Sequence, residues 1–321
     1  LVLLREIVRL LAGDAPRIGH GDNLEVRFVE MLVDTVHVGG AAATAAADLL
    51  ALMSGGVVTA TAVTAISGTA AQIKDLIAEV AGNGLTLGAA VDFTVTDQVS
   101  ISDLVLIDAA TTGDITAASV KGTIGELTGS PFAAAATSVL VEGEATVAQI
   151  NALVLAPTAV LTFDLTDGAA ALAGNADVVA DARSVTISGA ATALQIGAID
   201  AAMELNPDLT VEAIADIAAN VGAVTDLLNT VAGDADVAIT GGAITAAQAN
   251  LLLVTNGVVT ATVTAGTAAA LNEALDDVSG DVLTLTVLDG GLVPTSAADL
   301  RALATAGSVN ASDVAVVTGF A

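Results

Sequence analysis

The chain has 321 residues, with 36 acidic against 8 basic side chains and a formal net charge of −28. It is 54% hydrophobic, yet holds no Cys, no Trp, no Tyr, two His and five Phe. This composition excludes disulfides, thiolate metal sites and thiol catalysis, and it argues against nucleic-acid binding, which needs Lys and Arg against phosphate.

High charge with low hydrophobicity would mean disorder, but here charge and apolar content come together, so a core can be buried. The apolar residues are mostly Ala, Val, Leu and Ile rather than aromatics. Small side chains suit thin, closely stacked layers, as in a solenoid.

In chain order, Leu1–Leu11 is apolar but carries Arg5, Glu6 and Arg9. It reads as a short amphipathic helix, neither a signal-peptide core nor a membrane span, and no apolar run reaches the ~18 residues a span requires. A first residue that is Leu rather than Met predicts a processed or partial product, which fits a secreted protein whose leader has been removed. Residues 1–40 hold Arg5, Arg9, Arg17 and Arg27 against six acids, a net of −2, while residues 41–321 carry −26. Both histidines, His20 and His37, fall in this first stretch. Residues 1–40 are therefore expected to form a separate module, either a cap or a contact surface. His20 lies near Asp22, but no nucleophile or orienting group accompanies the pair, so it reads as a loop residue.

Residues 41–321 repeat. Thr44–Thr61 matches Thr245–Thr262 at an offset of 201, and Val139–Leu153 matches Val237–Leu252 at an offset near 99. Thr94–Asp97 and Ser102–Leu104 likewise resemble Thr286–Asp289 and Ser296–Leu300. These offsets predict three super-repeats, near 41–139, 140–238 and 239–321, each built from smaller strand–turn–helix units of about 25 residues. Helix starts are marked by Thr followed three residues later by Gln or Glu: Thr69/Gln72, Thr123/Glu126, Thr146/Gln149, Thr192/Gln195 and Thr245/Gln248. Such a pair satisfies free amides at a helix N-terminus. Ser296/Asp299 is a looser version. Strands alternate, as in Val185 and Ile187; Val259, Ala261 and Val263; and Leu283, Leu285 and Val287. A longer helical segment is expected over 211–229. Gly or Asn closes helices at Gly56, Gly113, Asn256 and Gly307.

Strand–helix–strand connections of this length give parallel strands and right-handed crossovers. The expected fold class is α/β: a right-handed parallel β solenoid with a distinct N-terminal module. A doubly wound globular fold is the alternative.

The segment Leu106–Leu127, with its Ile107-Asp108 start, Ala110-Thr-Thr-Gly113 turn and Ala118-Ser-Val120 strand end, resembles repeats in very large surface or secreted proteins of cyanobacteria and other Gram-negative bacteria. Gly68-Thr-Ala-Ala71 and Gly266-Thr-Ala-Ala-Ala-Leu271 belong to the same pattern. The resemblance covers 41–321 and implies an extracellular, structural or adhesive role without enzymatic activity. Some such proteins carry glycine-rich calcium nonapeptides; this chain lacks that pattern.

No nucleophile elbow, P-loop or His-Glu-x-x-His motif occurs, and Gly82, Gly84 and Gly88 are poorly spaced for a dinucleotide site. No cofactor is expected. Acidic turns make calcium the one metal candidate, through Asp164, Asp167, Asp234, Asp236 and Asp289, with Asp276, Asp277 and Asp281 clustered nearby. The competing reading is that Asp favours turns and maintains solubility. Thr-x-Thr rows raise ice binding, but their intervals are uneven. Asn310-Ala-Ser312 is a glycosylation sequon. A polysaccharide-acting enzyme would need aromatics that are missing.

The end Ser308–Ala321 reads as a strand pattern with an apolar finish. The functional expectation is a structural subunit of an extracellular filament or surface layer. It would assemble head-to-tail with copies of itself, through Arg5, Arg9, Arg17 and Arg27 at one end and Val314, Val316, Val317 and Phe320 at the other. The alternative is a rigid stalk or adhesive segment of a giant surface protein, contacting cell-surface or matrix polymers.

Overall fold

The computed structural model describes residues 35–40, 43–203, 208–275, 281–289 and 294–319. Arg5, Arg9, Arg17, Arg27, His20, Asp276, Asp277, Phe320 and the Leu1–Leu11 segment lie outside them. Among the described residues the fold is mixed α/β, with 13 α-helices and strands that pair in parallel. No helix there is long and apolar enough to cross a membrane. The chain divides into two compact units: Leu1–Asp97 with Leu104–Thr116, and Gln98–Asp103 with Ala117–Ala321.

The first unit runs β1 (Thr35–Gly40), β2 (Thr44–Ala45), α1 (Ala46–Met53), β3 (Val57–Val63), β4 (Ala65–Gly68), α2 (Ala70–Ala81), β5 (Leu85–Leu87) and β6 (Asp92–Val95). Next in the chain come β7 (Val99–Ser100), α3 (Ile101–Asp108) and β8 (Ile115–Ala117). Two parallel sheets form, in the orders β1-β3-β5 and β2-β4-β6-β8. Only Thr64 separates β3 from β4, so one extended stretch serves both sheets before turning into a helix. Val58, Ala60, Val63 and Ile66 point into the core, and α2 buries Ala70, Ile73 and Leu76 against it. Residues 35–40 of the N-terminal forty lie in this fold: Thr35 pairs with Val57 and Gly40 with Val63.

The second unit continues with β9 (Ser119–Gly122), α4 (Ile124–Leu127), α5 (Pro131–Ala135), β10 (Ser138–Ala145), α6 (Val147–Asn151), β11 (Val160–Gly168), α7 (Ala169–Ala173) and α8 (Ala176–Asp181). Then follow β12 (Ser184–Ala191), α9 (Ala193–Ala202), β13 (Leu209–Ile217), α10 (Val221–Leu228), β14 (Asp236–Gly241), α11 (Ala246–Leu252), β15 (Val259–Gly266) and α12 (Ala268–Ala274). The last elements are β16 (Val282–Val287), β17 (Thr295–Ser296), α13 (Ala297–Ala306), β18 (Gly307–Asn310) and β19 (Val317–Thr318). Ten strands make one sheet in the order β7-β9-β10-β11-β12-β13-β14-β15-β16-β18, and β17 pairs with β19 separately.

A strand with its following helix is called a rung below. Along the ten-stranded sheet each strand pairs with its neighbour in that order. Partners lie 19 residues apart between β9 and β10 (Ser119, Ser138), 20 between β11 and β12 (Asp164, Ser184) and 22 between β14 and β15 (Val237, Val259). The separation is 24 between β16 and β18 (Leu283, Gly307). The alternating positions are buried as their period dictates: Val185 and Ile187; Val259, Ala261 and Val263; Leu283, Leu285 and Val287. Thr260, Thr262 and Thr284 face outward and are exposed. Burying each Val, Leu or Ile contributes about 1.5–3 kcal/mol, so this core holds without large aromatics. Phe163 is the one aromatic among its largest fully buried side chains.

The helical reading of 211–229 is corrected. Residues 209–217 form strand β13, and only Val221–Leu228 is α-helical, burying Val221, Val224 and Leu228. Val211 and Ile214 are both buried and three residues apart, a spacing that mimics a helix. Pairing with β12 makes the segment a strand: Val211 stands opposite Ile187 and Ile214 opposite Ala191, with a register shift whose extra residue lies on β12 between Ile187 and Ala190.

Candidate functional site

The geometry that recurs is at helix starts. All five Thr–Gln/Glu pairs form full capping boxes, on α2, α4, α6, α9 and α11. At α9, the Thr192 amide donates to Gln195 Oε1 at 3.0 Å and the Gln195 amide to Thr192 Oγ1 at 3.3 Å. Ser296 caps α13, accepting from the amides of Ala298 and Asp299.

A capping box leaves the first helical amide open. In three rungs an Asp from the next rung takes it. Asp97 accepts from the Ala70 amide at 2.8 Å, Asp167 from Val147 at 3.1 Å and Asp216 from Ala193 at 2.8 Å. The negative charge also suits the positive end of the helix dipole. Asp216 is 5% exposed. Burial pushes its carboxyl up, but donation from Ala193, Ile217 and Asn220 outweighs burial and holds it below the ordinary carboxylate range. Sequence reading singled out neither Asp97 nor Asp216 as a site residue. The available signal was an Asp closing each strand, as in Phe93-Thr-Val-Thr-Asp97 and Phe163-Asp-Leu-Thr-Asp167.

The five calcium candidates fall in different surroundings. Asp164 accepts from Arg183 through Nε at 2.9 Å and through Nη2, and from Ser184 Oγ at 2.7 Å. The Arg183 hydrogen bond holds its carboxyl below the ordinary range, against partial burial and with help from Ser184. Asp167 uses both oxygens on amides, Val147 and Gly168. Asp234 accepts from Asn256 Nδ2 at 2.6 Å, and Asp236 from the Val258 amide at 2.8 Å. Asp289 has a buried Oδ2 with no hydrogen-bond partner. Among the described residues no three His, Asp or Glu side chains are grouped so as to hold a metal.

A second recurring feature is a Thr-x-Gly corner. Thr255 Oγ1 donates to Ala235 O at 2.7 Å and accepts from the Gly257 amide at 3.0 Å. Thr111 does the same with Val91 O at 2.7 Å and the Gly113 amide at 3.0 Å.

At the end of the ten-stranded sheet, β18 pairs with β16 on one side only. Val316 and Val317 are exposed beside it in sequence and Val314 is half-buried. Small hollows occur among the described residues. One of about 180 Å³ lies between Ile77, Leu87, Val91 and Phe93 in the first unit. Another, of about 360 Å³, lies beside Ile150, Val160 and Phe163 in the second, with Asp177 and Asp181 at its rim. Neither brings a nucleophile to a base. No protein-family model, curated protein or solved structure matches this chain.

Proposed function

We propose that the chain is a structural, non-catalytic protein of an extracellular filament or surface layer, built as a parallel α/β solenoid and assembled through its ends. One observation carries the reading: rung pairs with rung as far as β18, whose outer edge pairs with no described strand. A strand edge with open N–H and C=O groups is a template for another strand. In a head-to-tail contact the partner surface is the other end of a second copy, and such a contact propagates. The basic side chains Arg5, Arg9, Arg17 and Arg27 make residues 1–34 the segment whose charge best complements the acidic repeats.

The second reading, a rigid stalk within a larger surface protein, uses the same edge, covered by further rungs instead of by a copy. Its support is the resemblance of Leu106–Leu127 to repeats of giant bacterial surface proteins.

The test is negative-stain microscopy of the full chain and of a variant lacking residues 1–34, which leaves β1 in place. Filaments or layers from the full chain and none from the variant are the expected result. Assembly that survives the truncation refutes the head-to-tail contact. A monodisperse monomer at high concentration supports the stalk.

A further inference from the structure

Asp97, Asp167 and Asp216 occupy one recurring place, where a strand ends and the neighbouring helix begins. In two of them both oxygens are engaged. Asp167 accepts from Val147 and from Gly168 at 2.8 Å. Asp216 accepts from Ala193, from Ile217 at 2.8 Å and from Asn220 Nδ2 at 2.7 Å. Every one of these partners is a donor. A protonated carboxyl carries a donor of its own and would set O–H against N–H. The site therefore demands the ionised acid, and charge-assisted bonds of this kind are about twice as strong as neutral ones.

We propose that Asp167 and Asp216 are acid-labile latches between successive rungs, closed when ionised and released when protonated. Acid then opens the stack at these joints first, rather than weakening all rungs alike.

The surroundings favour local control. Against Asp216 lie Thr192, Ala193 and Gln195 of the α9 start, Ile217 and Asn220 beyond it, and Ile239 and Thr240 of β14. None of these ionises. Against Asp167 lie Thr146, Val147 and Gln149 of the α6 start and Ile187 of β12, again uncharged. Beside Asp97 the capped start of α2 offers Thr69, Ala70 and Gln72, and Lys74 follows one turn on. The sign follows from the lowered carboxyl of Asp216. Its stabilisation is complete above the unfolded value, near 3.8, and is lost as pH falls through the lower folded one.

Asp289 supplies an internal control. The Leu288 amide donates to Gly266 O at 2.9 Å just as the Thr96 amide donates to Gly68 O at 2.9 Å, so Asp289 stands where Asp97 stands. Yet its Oδ2 has no hydrogen-bond partner.

Hydrogen–deuterium exchange of the full chain, followed by mass spectrometry at pH 7 and pH 3 and corrected for intrinsic rates, tests the latch. Peptides spanning the starts of α6 and α9 should lose protection about tenfold more on acidification than those spanning α10 and α11. Asp167→Asn with Asp216→Asn should bring the same loss at pH 7 and flatten the pH response at α6 and α9. Asp289→Asn should leave α12 unchanged. Uniform acceleration of all helices, or a pH response that persists in the double variant, overturns the proposal. If the double variant does not fold, Asp216→Asn alone, read on α9, decides by the same criterion.

Discussion

Gly257→Ala should be a strongly damaging small substitution in the second unit. A Cβ at Gly257 would stand 2.4 Å from Ala235 O, 2.6 Å from Ala235 C and 2.8 Å from the Asp236 amide nitrogen. Non-bonded carbon contacts are comfortable at about 3.5 Å, so the two rungs must separate locally by about 1 Å. That movement strains three bonds joining them: Thr255 Oγ1 to Ala235 O at 2.7 Å, Val258 N to Asp236 Oδ1 at 2.8 Å and Asn256 N to Gly233 O at 2.8 Å. At about 1 kcal/mol net for each, the loss is about 3 kcal/mol. Gly197→Ala is the paired test of opposite sign. Gly197 lies inside α9 and a Cβ there meets nothing within 4 Å. Ala in a helix interior is favoured over Gly by about 0.5–1 kcal/mol. Urea denaturation followed by circular dichroism reads both. Because stacked repeats need not unfold in one step, exchange protection of β14 and β15 localises the effect. A Gly257→Ala protein within about 0.5 kcal/mol of the parent would refute the close approach, and so would a loss of equal size at Gly197.

Thr192→Ala removes the acceptor for the Gln195 amide and should destabilise by about 1 kcal/mol, read as a lower urea midpoint, while Thr192→Ser should restore most of the loss. Excess chelator should leave the melting curve unchanged, because Asp164, Asp167, Asp234 and Asp236 already accept from protein donors; a lower transition would show a structural calcium. Arg183→Gln should return Asp164 towards the ordinary carboxylate range, followed by its NMR titration. In the parent, the Asp164–Arg183 pair is retained above that range and lost as pH falls through the lowered value, so an unshifted titration would contradict the pairing.

Local signals in the sequence were legible because they depend on neighbours. Thr69 and Gln72 are three residues apart in any helix, so the capping box can be read without knowing what lies beside it. The same holds for Leu283, Leu285 and Val287, whose alternation needs only an extended backbone. Reading failed where the neighbour decides. Val211 and Ile214 have helical spacing, and it is their pairing with Ile187 and Ala191 of β12 that makes them a strand. The calcium candidates lie apart for a related reason. Asp164 and Asp167 are three apart on an extended strand, so one meets Arg183 and Ser184 on the next rung while the other meets Val147 on the previous one.

The acidic excess has a structural use that composition alone conceals. An acid needs no Lys or Arg partner when a backbone amide can serve. Asp92, Asp97, Asp167, Asp216, Asp236 and Asp281 each accept an amide from a residue 20 to 27 positions away, which is the neighbouring rung. Such a bond fixes two rungs together, and its acceptor carries full charge. Thin layers of Ala, Val and Leu bury little area per contact, so they gain from these added ties. Eight basic residues against 36 acidic ones are then sufficient. The separation of each pair is the length of a rung, and rungs differ by several residues, so no fixed spacing marks the pairs in the sequence. Replacing such an Asp by Lys should therefore disrupt pairing between rungs, whereas the same change at an outward Asp should not, a contrast that exchange protection of the facing amide measures directly.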